Sequence, residues 1–93
     1  MFEKKVKAFV KVRNKLGLHV RPATTIARIL QKRSAKVRLS YKEGSANARS
    51  IMGIMILAAP KNAQLKIEVE GIDADETLEE LLAAFENRFG EMD

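Results

Sequence analysis

Cysteine and tryptophan are absent from this sequence, and histidine and tyrosine occur once each. Without cysteine the chain forms no disulfide and no thiolate metal site, a composition that favours an intracellular protein. A single histidine also argues against a metal centre built from imidazoles. We therefore expect no metal ion, no cofactor and a cytoplasmic location.

Long apolar segments are missing as well. The uncharged run over residues 50–60 is too short to cross a bilayer, and charges interrupt the N-terminal segment MFEKKVKAFV. We expect a soluble protein that does not insert into a membrane. The chain has 93 residues, 46% of them apolar, which suits one small domain over residues 1–93.

Charge is unevenly distributed along the chain. Residues 1–50 contain 14 Lys/Arg and 2 Asp/Glu, a formal charge of +12, whereas residues 51–93 contain 3 and 10, a formal charge of −7. A basic surface attracts an acidic protein or a nucleic acid. An RNA-binding module would stack bases on sheet aromatics, which are almost lacking here, so we expect no nucleic-acid partner.

Alternating apolar residues predict three strands over residues 4–12, 36–42 and 64–70. Residues 45–49 form a fourth, shorter candidate after a Glu-Gly turn signal. The strands are amphipathic, which predicts an antiparallel sheet with one apolar face and one charged face in water.

Helical spacing predicts helices over residues 22–33, 51–58 and 74–89, with Ser50 as the N-cap of the second helix. The predicted order is therefore β-α-β-β-α-β-α. This order indicates an α+β fold, a four-stranded antiparallel sheet with three helices on one face.

The third helix carries explicit start and stop signals. Asp73 and Glu76 have the spacing of a capping box, and Gly90 is a favoured residue just beyond a helix end.

The start of the first helix lacks an obvious cap. Pro22 is favoured in a first helical turn, which places the cap at Val20 or Arg21, both poor capping residues. Free N–H groups at a helix N-terminus bind anions, and the Arg21 guanidinium suits phosphate. His19 lies beside them. Alternatively, Thr24 is the cap and His19 is an ordinary loop residue.

The second helix, within IMGIMILAAP, has no polar side chain. An all-apolar helix is normally buried on every side. In so small a domain, an uncovered side is the alternative, and it would form a docking surface. That outer side contains Ile51, Met52, Met55 and Ile56, and the inner side contains Gly53, Ile54 and Leu57.

GLHVRPA at residues 17–23 and RSIMGIM at residues 49–55 together resemble the HPr family, the histidine-containing phosphocarriers of the bacterial phosphotransferase system. The resemblance covers nearly the whole chain. It implies an open-faced β-sandwich and a monomeric phosphoryl carrier that is not itself an enzyme. The implied partners are Enzyme I, IIA domains and an HPr kinase/phosphorylase.

The resemblance also assigns roles to residues. His19 matches the phosphoryl acceptor, Arg21 matches the arginine that stabilises the phosphate, and Ser50 matches the serine that a kinase phosphorylates. The implied docking patch consists of Val20, Ile51, Met52 and Met55.

The branch of the phosphotransferase system stays open. NKLG before the histidine and the tail AAFENRFGEMD are similar to the nitrogen-branch paralogue, whereas RSIMGIM is similar to sugar-branch members that a kinase regulates. A stand-alone enzyme is not expected, because the sequence shows no acid–base partner for His19.

Overall fold

The computed structural model describes residues 3–91, and the predicted order of elements is confirmed there. The strands are Lys4–Lys11 (β1), Lys36–Tyr41 (β2), Gly44–Asn47 (β3) and Gln64–Gly71 (β4). The helices are Val20–Gln31 (α1), Ile51–Leu57 (α2) and Ala74–Glu86 (α3), and a 3₁₀ turn follows at Arg88–Gly90. None of these helices is long and apolar enough to span a membrane.

The strands form one antiparallel sheet in the order β1-β4-β2-β3. The register aligns apolar side chains in rows on one face, for example Ala8, Ile67 and Leu39 across three strands. A neighbouring row on the opposite face, formed by Lys7, Glu68 and Arg38, is charged, because successive side chains point to opposite faces. The α+β fold with an open, charged sheet face is therefore confirmed.

The three helices cover the apolar face of the sheet. α3 packs on β1 and β4, and α1 packs on α2 and α3. The core between these layers consists of fully buried side chains, chiefly Ile26, Leu30, Leu39, Ile54, Leu65, Ile67, Leu81 and Phe85. This packing fixes the positions of the N-termini of α1 and α2 relative to the sheet.

Two arginines form hydrogen bonds that stabilise the C-terminal end of α1. The Arg49 guanidinium donates hydrogen bonds to the carbonyl oxygens of Leu30 (2.6 Å), Arg33 (2.8 Å) and Ala35 (2.9 Å). Arg33 donates to Glu80 of α3, and this hydrogen bond raises the pKa of the Arg33 guanidinium above its ordinary value. Arg49 therefore joins the segment before α2 to the end of α1.

The capping box predicted for α3 is wrong. Asp73 occupies the N-cap position, but its side chain makes no capping bond and accepts from the Ser34 N–H at 2.9 Å instead. The Asp73 backbone, at φ −106° and ψ 30°, is not in the extended conformation that a capping side chain requires.

The predicted end of α3 at Gly90 is also wrong, because α3 ends at Glu86. Arg88 and Phe89 adopt the left-handed conformation, with φ of 53° and 55°. This turn brings the Phe89 ring edge-to-face against Phe85, with centroids 4.8 Å apart, and buries it. Burial of the aromatic ring outweighs continuation of the helix.

Candidate phosphoryl-acceptor site

α1 begins one residue after His19. His19 is the N-cap, with an extended backbone at φ −84° and ψ −168°, and its side chain makes no capping hydrogen bond. The cap predicted at Val20 or Arg21 is wrong. The Ala23 N–H donates to the His19 carbonyl, and this hydrogen bond places both residues inside the helix. Pro22 fits this first turn because its missing N–H is not needed there.

The absence of a side-chain cap, by contrast, is confirmed. The backbone N–H groups of Val20 and Arg21 donate to no acceptor within residues 3–91, and the first turn has no acidic residue. Thr24 is not the cap, since its hydroxyl donates to the Val20 carbonyl at 2.7 Å. The positive end of the helix dipole and two free donors therefore meet beside His19, which favours an anion there.

The loop before His19 is held against the chain that follows α2. The Leu18 N–H donates to the Ala59 carbonyl at 3.0 Å, and the Leu18 side chain is buried. Gly17 has a φ of +70°, a conformation that side chains disfavour. These contacts fix the backbone from which the His19 imidazole projects.

The structure brings to His19 a carboxylate that no sequence motif predicts. Glu91 Oε2 lies 2.9 Å from His19 Nε2 and 3.7 Å from Arg21 Nη1. Glu91 Oε1 accepts from the amide of Asn14 at 3.0 Å, and Asn14 is fully buried. The sequence signal nearest to this contact is Phe89, whose place in an apolar stripe indicates that the segment around it packs on the core.

The contact between His19 and Glu91 is close without being an aligned hydrogen bond. Nε2 is buried, and its N–H direction does not point at Oε2, so Nε2 has no hydrogen-bond partner within the described chain. The Glu91 side chain is only 10% exposed, whereas that of Arg21 is 75% exposed. One edge of the imidazole therefore faces a sheltered carboxylate, and the guanidinium beside it is open to solvent.

The outer side of α2 is exposed, so its complete burial is excluded. Met52 and Ile56 are 71% and 74% exposed, whereas Ile54 on the inner side is fully buried. Val20, at the start of α1, is 54% exposed. Ile51 and Met55 are exposed to lesser extents.

Ser50 is the N-cap of α2, as predicted. Its Oγ accepts a hydrogen bond from the Gly53 N–H at 2.9 Å, and its backbone is extended. The serine is exposed, so its hydroxyl lies at the protein surface.

A family model described as "PTS HPr component phosphorylation site" matches residues 6–87. The chain belongs to the HPr family of phosphocarrier proteins. It therefore has a phosphocarrier role in the phosphotransferase system, and HPr-family proteins are carriers rather than catalysts. The resemblance recognised in the two motifs is confirmed.

Individual relatives include proteins named HPr and a protein named NPr. The phosphocarrier protein HPr of Xylella fastidiosa is 39% identical over 80 residues, which cover 86% of this chain and 90% of the relative. The phosphocarrier protein NPr of Escherichia coli is 36% identical over 87 residues, which cover 92% and 97%. A crystal structure of HPr from Thermoanaerobacter tengcongensis superposes with a TM-score of 0.88 at 33% identity, covering 94% of this chain and 98% of that one.

Proposed function

We propose that His19 is the residue that accepts and donates the phosphoryl group. The observation that carries this proposal is the start of α1, where His19 stands at the N-cap without a capping bond and two N–H groups remain free. A phosphoryl group on the imidazole can accept from those N–H groups and so complete the helix end. Stabilisation by a few donors is modest, which suits a group that must leave again.

Arg21 supplies the mobile part of this anion site. Its guanidinium is mostly exposed and lies 3.7 Å from the Glu91 carboxylate, a separation too long for a strong hydrogen bond. It is therefore free to turn toward a phosphoryl group, for which its planar fork of donors is well suited. We infer that Arg21 stabilises the phosphoryl group during transfer.

The docking patch, defined as Val20, Ile51, Met52 and Met55, is proposed to receive both the donor and the acceptor of the phosphoryl group. Val20 is the first residue of α1, and Ile51, Met52 and Met55 are exposed along α2, which packs against α1. Exposed methionines adapt to different partner surfaces. The proposed donor is phosphorylated Enzyme I, and the proposed acceptors are IIA domains.

Ser50 is proposed as a control site for a kinase/phosphorylase. Its exposed hydroxyl borders the docking patch, and the start of α2 tolerates negative charge because of the helix dipole. A phosphate would add about two negative charges beside Ile51 and Met52. Such charge opposes apolar docking, because the phosphate must be desolvated.

The nitrogen branch is the second candidate role, since an NPr of that branch is about as similar to this chain as the HPr proteins are. Parallel assays with the Enzyme I of each branch distinguish the two roles. The productive Enzyme I is expected to show the larger kcat/KM.

The acceptor assignment is tested by incubating the chain with phosphoenolpyruvate and Enzyme I and measuring its intact mass. We expect one acid-labile phosphoryl group on the parent and none on His19→Ala, with circular dichroism unchanged because His19 lies outside the core. Arg28→Ala, on an exposed part of α1, serves as the control that keeps phosphorylation. Acid-labile phosphate on His19→Ala contradicts the assignment.

A further inference from the structure

The imidazole of His19 has two nitrogens, and the structure distinguishes between their surroundings. Nε2 is buried and lies 2.9 Å from the Glu91 carboxylate oxygen. A neutral imidazole bears its proton on one nitrogen and a lone pair on the other. The negative oxygen at this distance repels a lone pair on Nε2 and attracts a proton there, although the N–H is not aligned with Oε2 as a hydrogen bond.

Neighbouring residues hold the Glu91 carboxylate in place. Its Oε1 accepts from the buried Asn14 amide, which also donates to the Gly17 carbonyl at 2.6 Å. The left-handed turn that leads to Glu91 is held by the buried Phe89 ring. A carboxylate that is 10% exposed and braced on two sides interacts more strongly with a neighbouring charge than one in water does.

We propose that Glu91 is a positioning residue for phosphoryl transfer. It selects the tautomer with the proton on Nε2 and the lone pair on Nδ1, and it balances the charge that the ring acquires when phosphorylated. The proposal rests on the proposed role of His19 as the acceptor. It adds the reason why one ring nitrogen acts as the nucleophile.

The transfer step is balanced without moving a proton at His19. The Nδ1 lone pair forms the N–P bond while the bond between phosphorus and the donor breaks, and that electron pair stays with the donor. The ring then bears phosphorus on Nδ1 and hydrogen on Nε2, so it carries a positive charge opposite Glu91. When an acceptor attacks phosphorus, the N–P electron pair returns to Nδ1.

Arg21 has a divided role in this scheme. In the unphosphorylated chain its Nη1 lies 3.7 Å from Glu91 Oε2, the oxygen that also faces His19. After transfer the Arg21 guanidinium pairs with the phosphoryl oxygens, and the Glu91 carboxylate then interacts with the positively charged imidazole ring alone. Each of the two anions then has a cationic partner.

Glu91→Gln separates this role from a purely structural one. Glutamine keeps a carbonyl oxygen that accepts from Asn14, and it places a neutral NH2 donor beside Nε2 in place of the charged Oε2. Because the chain has one histidine, ¹⁵N NMR reports the tautomer of His19 without ambiguity. Glu86→Gln is the matched control, since Glu86 is an exposed carboxylate at the end of α3 that contacts Arg13 instead.

We expect the parent and Glu86→Gln to have the proton on Nε2, and Glu91→Gln to shift toward the tautomer with the proton on Nδ1, because its NH2 group donates to a lone pair on Nε2. With phosphorylated Enzyme I as the donor, kcat should fall about 10-fold in Glu91→Gln with KM nearly unchanged, since a charge-assisted contact is being lost. Glu91→Asp, which keeps the charge at a shorter reach, should recover part of both signals. Thermal melting should be nearly the same for the parent, Glu86→Gln and Glu91→Gln, since the glutamine keeps the bond with the Asn14 amide.

An unchanged tautomer or an unchanged kcat in Glu91→Gln overturns the proposal. A failure of the proposed function looks different, because the parent itself would then gain no acid-labile phosphate. The tautomer measurement needs no phosphoryl donor, so it tests Glu91 independently of that result.

Discussion

Gly17 lies directly against the backbone of Ala59: a Cβ atom added to Gly17 would sit 2.4 Å from the Ala59 carbonyl oxygen. That carbonyl accepts from the Leu18 N–H, so the close approach and the hydrogen bond depend on each other. The glycine thus allows the loop that carries His19 to pack on the segment after α2.

Gly17→Ala should destabilise the fold and slow phosphoryl transfer. The left-handed conformation alone costs an alanine about 1–2 kcal/mol, and the clash with Ala59 adds to it. Gly90→Ala is the control, because Gly90 has a similar φ of +81° with no atom within 4 Å of an added Cβ. Chemical denaturation should show the larger loss for Gly17→Ala; equal losses would mean that the contact with Ala59 relaxes freely.

Arg21→Ala should slow phosphoryl transfer without abolishing it. The guanidinium is one donor among several, and a charge-assisted hydrogen bond contributes about 1.5–3 kcal/mol, so a slowing of about 10- to 100-fold is expected. Arg21→Lys should lie between the alanine variant and the parent, because lysine keeps the charge but not the fork. Stopped-flow or quench-flow kinetics measure the rates, and a parent-like rate for Arg21→Ala would show that Arg21 does not contact the phosphoryl group.

Met52→Asp should weaken docking to Enzyme I while leaving the fold intact. Met52 is 71% exposed and lies in the first turn of α2, where the helix dipole tolerates an acidic residue. Loss of an apolar contact at a docking surface is expected to reduce affinity about 10-fold or more. Isothermal calorimetry and thermal melting separate binding from stability.

Ile54→Asp is the matched control for that experiment. Ile54 lies two residues further along the same helix and is fully buried, so an uncompensated carboxylate there should unfold the domain. A large fall in the melting temperature of Met52→Asp would place Met52 in the core and remove it from the docking patch.

Ser50→Asp and Ser50→Ala distinguish a control site from a simple helix cap. Aspartate caps a helix as well as serine does, and alanine costs about 1 kcal/mol, so both variants should fold. If charge at this position controls docking, the aspartate variant transfers from Enzyme I much more slowly and the alanine variant transfers nearly normally. Equal rates for the parent and both variants would leave Ser50 with a structural role alone.

The fold could be predicted because its signals are local. Alternation in β1, β2 and β4 places apolar residues in the rows that the register confirms. The cap of α2 at Ser50 could be predicted because the N–H that it accepts from, that of Gly53, lies only three residues away. Local periodicity and short-range hydrogen bonds are readable without knowledge of the tertiary structure.

The parts of the site that were missed depend on distant contacts. Asn14 and Glu91 are separated by 77 residues along the chain, and no periodicity connects them. Their meeting depends on a left-handed turn at Arg88 and Phe89, neither of which is glycine. The Asp73 side chain does not cap α3 for a related reason, since it bonds to Ser34 in the connection between α1 and β2.

The shortness of α2 has a consequence for its motion. Seven residues make about two helical turns, and within α2 only Ile54 is fully buried. Segments with few buried side chains open locally at a low free-energy cost, so amide hydrogens in α2 should exchange with solvent sooner than those of the central strand β4. A bound partner that covers α2 should slow this exchange, and part of the binding free energy is then spent on ordering the helix.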